Sequence, residues 1–371
     1  MFQALIRNIN HTDISSFLVL GTILFFFSFC ITFISVPICK RIAKKANYLD
    51  IPNSEGHKLH DKAIPLLGGV AIFSGIFFPV LISIFFLMSI SYIPVEIKDG
   101  FLHVRKQLFT IFFCSFASLL LGLRDDKNAM SAKKKFILQT IIFVIAILLG
   151  DIRITLFFQH PIFTFLITLL WFLFITNGVN FFDNMDGLAA GTATIAFLFF
   201  TFVCYIQGQF FIAALAVVAT GATMAFLCFN YSPASIFMGD AGSHLLGFLI
   251  AVISTKTTFY NSNIASSKFS VLIPIFILAI PIFDTIAVVI IRILNHKPVY
   301  IGDHNHISHR FFRMGLSKKE SVLFVHLLCI ISGLGVLPLL WGDIKTCFIL
   351  LLQECVLLLM LTFLQFHTRR N

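Results

Sequence analysis

Residues 165–176 read FLITLLWFLFIT, residues 177–193 read NGVNFFDNMDGLAAGTA, and residues 194–206 read TIAFLFFTFVCYI. The two outer runs are apolar at nearly every position. Each is long enough, with its flanks, to cross the hydrocarbon core of a bilayer. The stretch between them carries two acids three residues apart, Asp183 and Asp186. A plain connector needs a turn and a helix cap, not two carboxylates.

The whole chain shares this character. It has 371 residues, 58% of them hydrophobic and 12% charged, with a mean hydropathy of +0.96. A soluble domain is about half apolar and about a quarter charged. The composition therefore specifies an integral membrane protein. Its 47 Phe suit lipid-facing helices. The eight Cys, among them Cys30, Cys114, Cys204 and Cys355, lie mostly in apolar runs with no CxxC pair. They read as small hydrophobes rather than a disulfide framework or a zinc site. The first apolar run, 17–38, lacks an A-x-A-like cleavage site and leads into KRIAKK, so it reads as a retained span.

Apolar runs predict an all-α, multi-pass architecture of about eleven spans in one domain, 1–371. They fall near 17–38, 67–91, 108–123, 135–150, 161–178, 188–207, 210–229, 243–256, 270–293, 321–341 and 345–366. By far the larger share of the 27 Lys and Arg falls in the loops after odd-numbered spans and in the C-terminal tail. Positive charge marks the cytoplasmic side. This predicts an outside N-terminus, a cytoplasmic C-terminus and residence in the inner membrane. The net charge of +10 is thereby a topological feature. No basic face interleaved with aromatics signals nucleic acid.

The polar clusters all fall on that same side. They are HKLHDKAIPLLGG (57–69), GLRDDKNAMSAKKK (122–135), NGVNFFDNMDG (177–187), NYSPASIFMGDAGSH (230–244) and GDHNHISHR (302–310). Each has a bland reading. Asp125 and Asp126 suit a solvated helix end, Asp183 and Asp186 a helix cap, and Asp240 a turn. His57, Lys58, His60 and Lys62 suit a charge anchor. His304, His306 and His309 could be loop residues or zinc ligands, but Arg310 and Arg313 beside them favour phosphate. Segregation of acids and bases to one face favours a shared site. Carboxylates prefer hard cations, and Mg²⁺ combines one or two of them with substrate phosphates. Such a constellation at a membrane face points to phosphoryl transfer.

In order, HKLHDKAIPLLGGVAIF, LGLRDDK, NFFDNMDGLAAG, FMGDAGSHLLG, PIFDTIAVVIIR and GDHNHISHRFFRMGLS resemble the polyprenyl-phosphate N-acetylhexosamine-1-phosphate transferases. The phospho-N-acetylmuramoyl-pentapeptide transferases share the plan. The resemblance implies transfer of a sugar-1-phosphate, GlcNAc-1-phosphate first, from a UDP-sugar to undecaprenyl phosphate with release of UMP. It implies Mg²⁺, with Mn²⁺ as a substitute, and the bilayer, both substrates and a second copy in a homodimer as partners. By motif, Asp125, Asp126 and Asp183 are the catalytic acids, and Asp240, Asp125 and Asp126 the metal set. Substrate contacts fall to Lys58, His60, Asn180, Asp186, Asn230, Phe237, His304, His306, His309 and Arg310. Ser308 stands where the family often has His, and His304 where it often has Arg. Consecutive histidines of the muramoyl-pentapeptide type are absent, which favours the GlcNAc branch. Asp284 sits inside a span, where an acid suggests function, with helix packing as the alternative; Glu354 matches nothing in the family. The rival from another class, an ion-coupled transporter, would place its ionisable groups at the bilayer midplane, and a scaffold would not need them.

Overall fold

A computed structural model describes residues 11–51, 63–89, 95–154, 160–257, 271–299 and 305–367. The expected residues Lys58, His60 and His304 lie outside these. The chain is a bundle of helices. In order they are α1 (His11–Lys45), α2 (Gly68–Ser89), α3 (Val95–Lys127), α4 (Ala132–Leu149), α5 (Pro161–Phe182), α6 (Leu188–Ile206), α7 (Phe210–Asn230) and α8 (Gly239–Lys256). There follow α9 (Ile273–Ile277), α10 (Ala279–Leu294), α11 (Ile307–Arg313), α12 (Lys318–Leu334), α13 (Val336–Trp341) and α14 (Ile344–His367). A two-residue antiparallel pair, Leu49–Asp50 with Ile64–Pro65, links α1 to α2.

Where they are described, all eleven expected apolar runs are helical, two of them as broken pairs, α9–α10 and α12–α13. Among the described residues, eight helical stretches are long and apolar enough to cross a membrane. Helices α4, α8 and the α9–α10 pair fall outside that set. The reasons are local. Helix α4 opens on three lysines, α9–α10 breaks near Leu278, and α8 carries Asp240, His244 and Lys256. Helix α8 tolerates these because protein, not lipid, surrounds it. Ala241 through Thr255 are all buried, with α2, α3, α5, α6 and α7 packed around them. The outer helices instead expose large apolar side chains such as Phe26, Leu170 and Phe363, as lipid contact requires.

Close packing on α8 places the site. Gly122 of α3 lies against the α8 backbone. A Cβ there would come within 2.3 Å of Ala241 N and Asp240 O. Gly69 of α2 does the same on the other flank, 2.4 Å from Gly242 N. Backbone cannot yield as a side-chain tip can. Gly122→Ala is therefore expected to push α3 off α8, costing about 1–3 kcal/mol and displacing the neighbouring acids. Thermal unfolding in detergent together with turnover checks this; a variant unchanged in both would contradict the packing.

Candidate active site

The same ends of the helices meet at one end of the bundle. The Asp126 carboxylate closes α3 by accepting from the first amides of α8: Asp240 N to Oδ1 at 2.7 Å and Ala241 N to Oδ2 at 3.1 Å. It caps a helix from outside, where free N–H groups and the dipole favour an anion. Asp125 points the other way. Its Oδ1 accepts from Met130 N at 2.6 Å, and its Oδ2 lies 2.8 Å from Lys135 Nζ. The Lys135 ammonium also reaches Asp240 Oδ2 at 2.5 Å. Asn180, from the end of α5, donates to Asp240 Oδ1 at 2.8 Å and to Ser243 Oγ at 2.8 Å. The Tyr48 hydroxyl, just beyond α1, donates to the Leu123 carbonyl of α3.

Asp183 ends α5 and hydrogen-bonds to no described side chain. Burial, then the charges of Asp240, Asp126 and Asp186, push its carboxyl up to about 8. Near neutral pH this acid therefore holds a proton or needs a cation. Three residues on, Asp186 Oδ2 accepts from Ala234 N at 2.9 Å. Gly187 turns the chain with φ +78° into α6, a conformation that suits glycine.

The histidine segment is fixed from two sides. Asp284 of α10, fully buried, has Oδ2 2.6 Å from His306 Nδ1 and accepts from Ile307 N at Oδ1, also 2.6 Å. Ser308 Oγ donates to Asn184 Oδ1 at 2.6 Å, tying the segment to the Asp183–Asp186 loop. Arg310 Nε donates to the Asn305 carbonyl at 2.7 Å. His309 and Arg310 are buried on α11. Ser308 itself is 0% exposed. Ser308→His is therefore expected to lower folded yield and turnover together, since overpacking costs about 1–3 kcal/mol and the Asn184 bond is lost. A stable variant with raised turnover would show room for the ring.

Each expected residue among those described thus has a place. The expected metal set, Asp125, Asp126 and Asp240, is brought together at the start of α8. Lys135 stands between two of these carboxylates, and Asp126 gives both oxygens to the α8 amides. Among the described residues no three His, Cys, Asp or Glu form a ready cation cage. The donor set fits a hard cation, because one ammonium already bridges Asp125 and Asp240, and the charges of Asp240 and Asp126 bear on the buried Asp183. Asn230 is 3% exposed, with its amide bonded to Gly187 N at 3.1 Å and the Ile236 carbonyl at 2.9 Å. Asn180 holds Asp240 through its side-chain amide. Phe237 is half-buried, its backbone pinned to Pro65 and Gly68, beside Asp240. Glu354 accepts from Ser332 Oγ at 2.8 Å and joins α14 to α12. Lys135 is not among the residues the sequence singles out, because within KKK a site lysine and a charge anchor carry the same signal.

The family profile of glycosyl transferase family 4 matches residues 108–258. The probable undecaprenyl-phosphate N-acetylglucosaminyl 1-phosphate transferase of Bacillus subtilis (strain 168) is 34% identical over 341 residues, 88% of each chain. The undecaprenyl-phosphate alpha-N-acetylglucosaminyl 1-phosphate transferase of Salmonella typhi is 26% identical over 321 residues, 83% of this chain and 81% of that one. The phospho-N-acetylmuramoyl-pentapeptide-transferase of Bacillus subtilis (strain 168) is 30% identical over 249 residues, 62% of this chain and 72% of that one.

Proposed function

This chain belongs to glycosyl transferase family 4, among the polyprenyl-phosphate N-acetylhexosamine-1-phosphate transferases, and on that premise we propose that it transfers GlcNAc-1-phosphate from UDP-GlcNAc to undecaprenyl phosphate. The observation that carries the reading is the convergence of Asp125, Lys135, Asn180, Asp183 and Asp240 at one end of a membrane bundle. A phosphate oxygen of the lipid attacks the β-phosphorus of the donor. One P–O bond forms, the P–O bond to the α-phosphate breaks, and UMP leaves with the bridging oxygen. Where the lipid phosphate still holds a proton, Asp183 in its ionised form takes it. Of the three expected catalytic acids it alone has no side-chain hydrogen bond, and a base works best with its pKa near the working pH. Asp125 holds Lys135, whose ammonium faces phosphate oxygens as a point charge. Asp126 fixes the start of α8 and so the place of Asp240.

Mg²⁺, or Mn²⁺ in its stead, fits on Asp240 with the donor phosphates, and when bound it neutralises charge on the departing UMP. Phe237 offers a face for uracil, Asp186 a nucleoside contact, and His306, His309 and Arg310 donors to phosphate. Lys58, His60 and His304 are assigned by motif alone. The site faces the cytoplasm of the inner membrane, with the whole chain as one domain and a second copy as its expected partner. Cysteines at Asn128 and Lys319, in a background without exposed thiols, should react with an impermeant maleimide only after cells are opened; reaction in intact cells would invert the topology. The reaction is tested with purified protein, undecaprenyl phosphate and a panel of UDP-sugars. UMP release is expected to be greatest with UDP-GlcNAc. Release only with UDP-MurNAc-pentapeptide would move the chain to the other branch, and release with none would reject the reading.

A further inference from the structure

The mechanism leaves one buried acid unused. Asp284 lies on α10, inside an apolar run, where a carboxylate is costly. Both its oxygens serve the histidine segment 22 residues later, Oδ2 at His306 Nδ1 and Oδ1 at Ile307 N, each at 2.6 Å. His306 is the N-cap of α11 but makes no side-chain cap bond. The first amide of α11 finds its acceptor in Asp284 instead. Ser308 then anchors the same segment to Asn184, next to Asp183. The ring is therefore held relative to the acid loop from both sides.

We infer that Asp284 is a positioning residue for the transfer, fixing His306 so that Nε2 alone serves the donor diphosphate. This rests on the sugar-1-phosphate transfer proposed above. An ionised carboxylate only accepts hydrogen bonds, so His306 Nδ1 carries a proton. Nε2 makes no hydrogen bond to a described residue. To bind a phosphate oxygen it must carry a proton too, which makes the bound ring an imidazolium with Asp284 as its counter-ion. Such charge-assisted bonds are the stronger kind. The alternative is that Asp284 only caps α11.

A double-mutant cycle on the full-length protein separates the two. UMP release from UDP-GlcNAc is measured for the wild type, Asp284→Asn, His306→Ala and the double variant. Each single variant is expected to lose about 10- to 100-fold in kcat. The double variant is expected to fall no more than about twofold below His306→Ala, because the two residues act as one. If Asp284→Asn costs as much in the His306→Ala background as alone, it acts through the fold and the inference fails. Full activity in either single variant also overturns it. If Asp284→Asn does not fold, ¹⁵N-histidine NMR of the wild type decides, with His306→Ala for assignment. The expected spectrum shows Nδ1 protonated and Nε2 shifting when UDP-GlcNAc and Mg²⁺ are added; a bare Nδ1 or an unmoved Nε2 refutes it. A wild type that releases no UMP from any donor would sink the transfer reading, whereas the Nδ1 signal would still report on the Asp284–His306 pair.

Discussion

Asp240→Asn is expected to lower turnover about 10²- to 10³-fold, the scale on which a preorganised charge at a phosphoryl-transfer centre is felt. Asp240 is where the site's connections cross. Lys135 reaches one oxygen, Asn180 the other, and the Asp126 carboxylate holds its backbone amide. Asparagine keeps the size and one acceptor oxygen but removes the charge. A hard cation then loses its protein carboxylate, so the Mg²⁺ concentration for half-maximal rate should rise as the maximal rate falls. UMP release across a Mg²⁺ titration checks both. A variant with the wild-type response to Mg²⁺ would take Asp240 out of the cation site and leave it as a partner of Lys135.

Lys135→Met is expected to destabilise the protein in EDTA and to respond more strongly to Mg²⁺ than the wild type does. The lysine side chain is 17% exposed, Asp125 is 10% exposed and Asp240 33%. Methionine fills much of the volume without the charge. Asp125 and Asp240 would then face each other with Asp126 and Asp183 close by. Removing one partner of a buried ion pair costs about 3–5 kcal/mol; the openness around Asp240 brings this to about 2–3 kcal/mol. A divalent cation would enter the unrelieved negative site. Thermal unfolding with and without Mg²⁺ measures the effect. Equal stability in EDTA would mean that Lys135 does not hold these acids together.

Much of the fold was legible because hydropathy reports bilayer crossing directly. All eleven apolar runs are helical over their described residues. What hydropathy cannot distinguish is a helix sheathed in protein from one bathed in lipid. Nothing in GDAGSHLLGFLIAVISTK announces that α8 is the buried axis of the bundle. That follows from the close approach of Gly69 and Gly122, which needs the partner backbones in place. The one-sided clustering of acids and bases was equally legible, since charge is excluded from hydrocarbon wherever it is not partnered. The division of labour was not. Asp125 and Asp126 are adjacent in sequence, yet one pairs with an ammonium and the other caps α8, because successive residues on a helix point about 100° apart. Asp284 was marked by its place within a span, but its partner lies in a separate segment and only the fold joins them.

In the proposed transfer the β-phosphorus of the donor moves with the sugar. UDP-GlcNAc labelled with ³²P at the β-position, incubated with the purified protein, undecaprenyl phosphate and Mg²⁺, tests it in one measurement. The label is expected in the lipid phase as a diphosphate-linked GlcNAc, while the UMP released is unlabelled. Label recovered in UDP would mean that only the sugar was transferred, and label remaining in intact UDP-GlcNAc would mean that no transfer took place; either result would contradict the account.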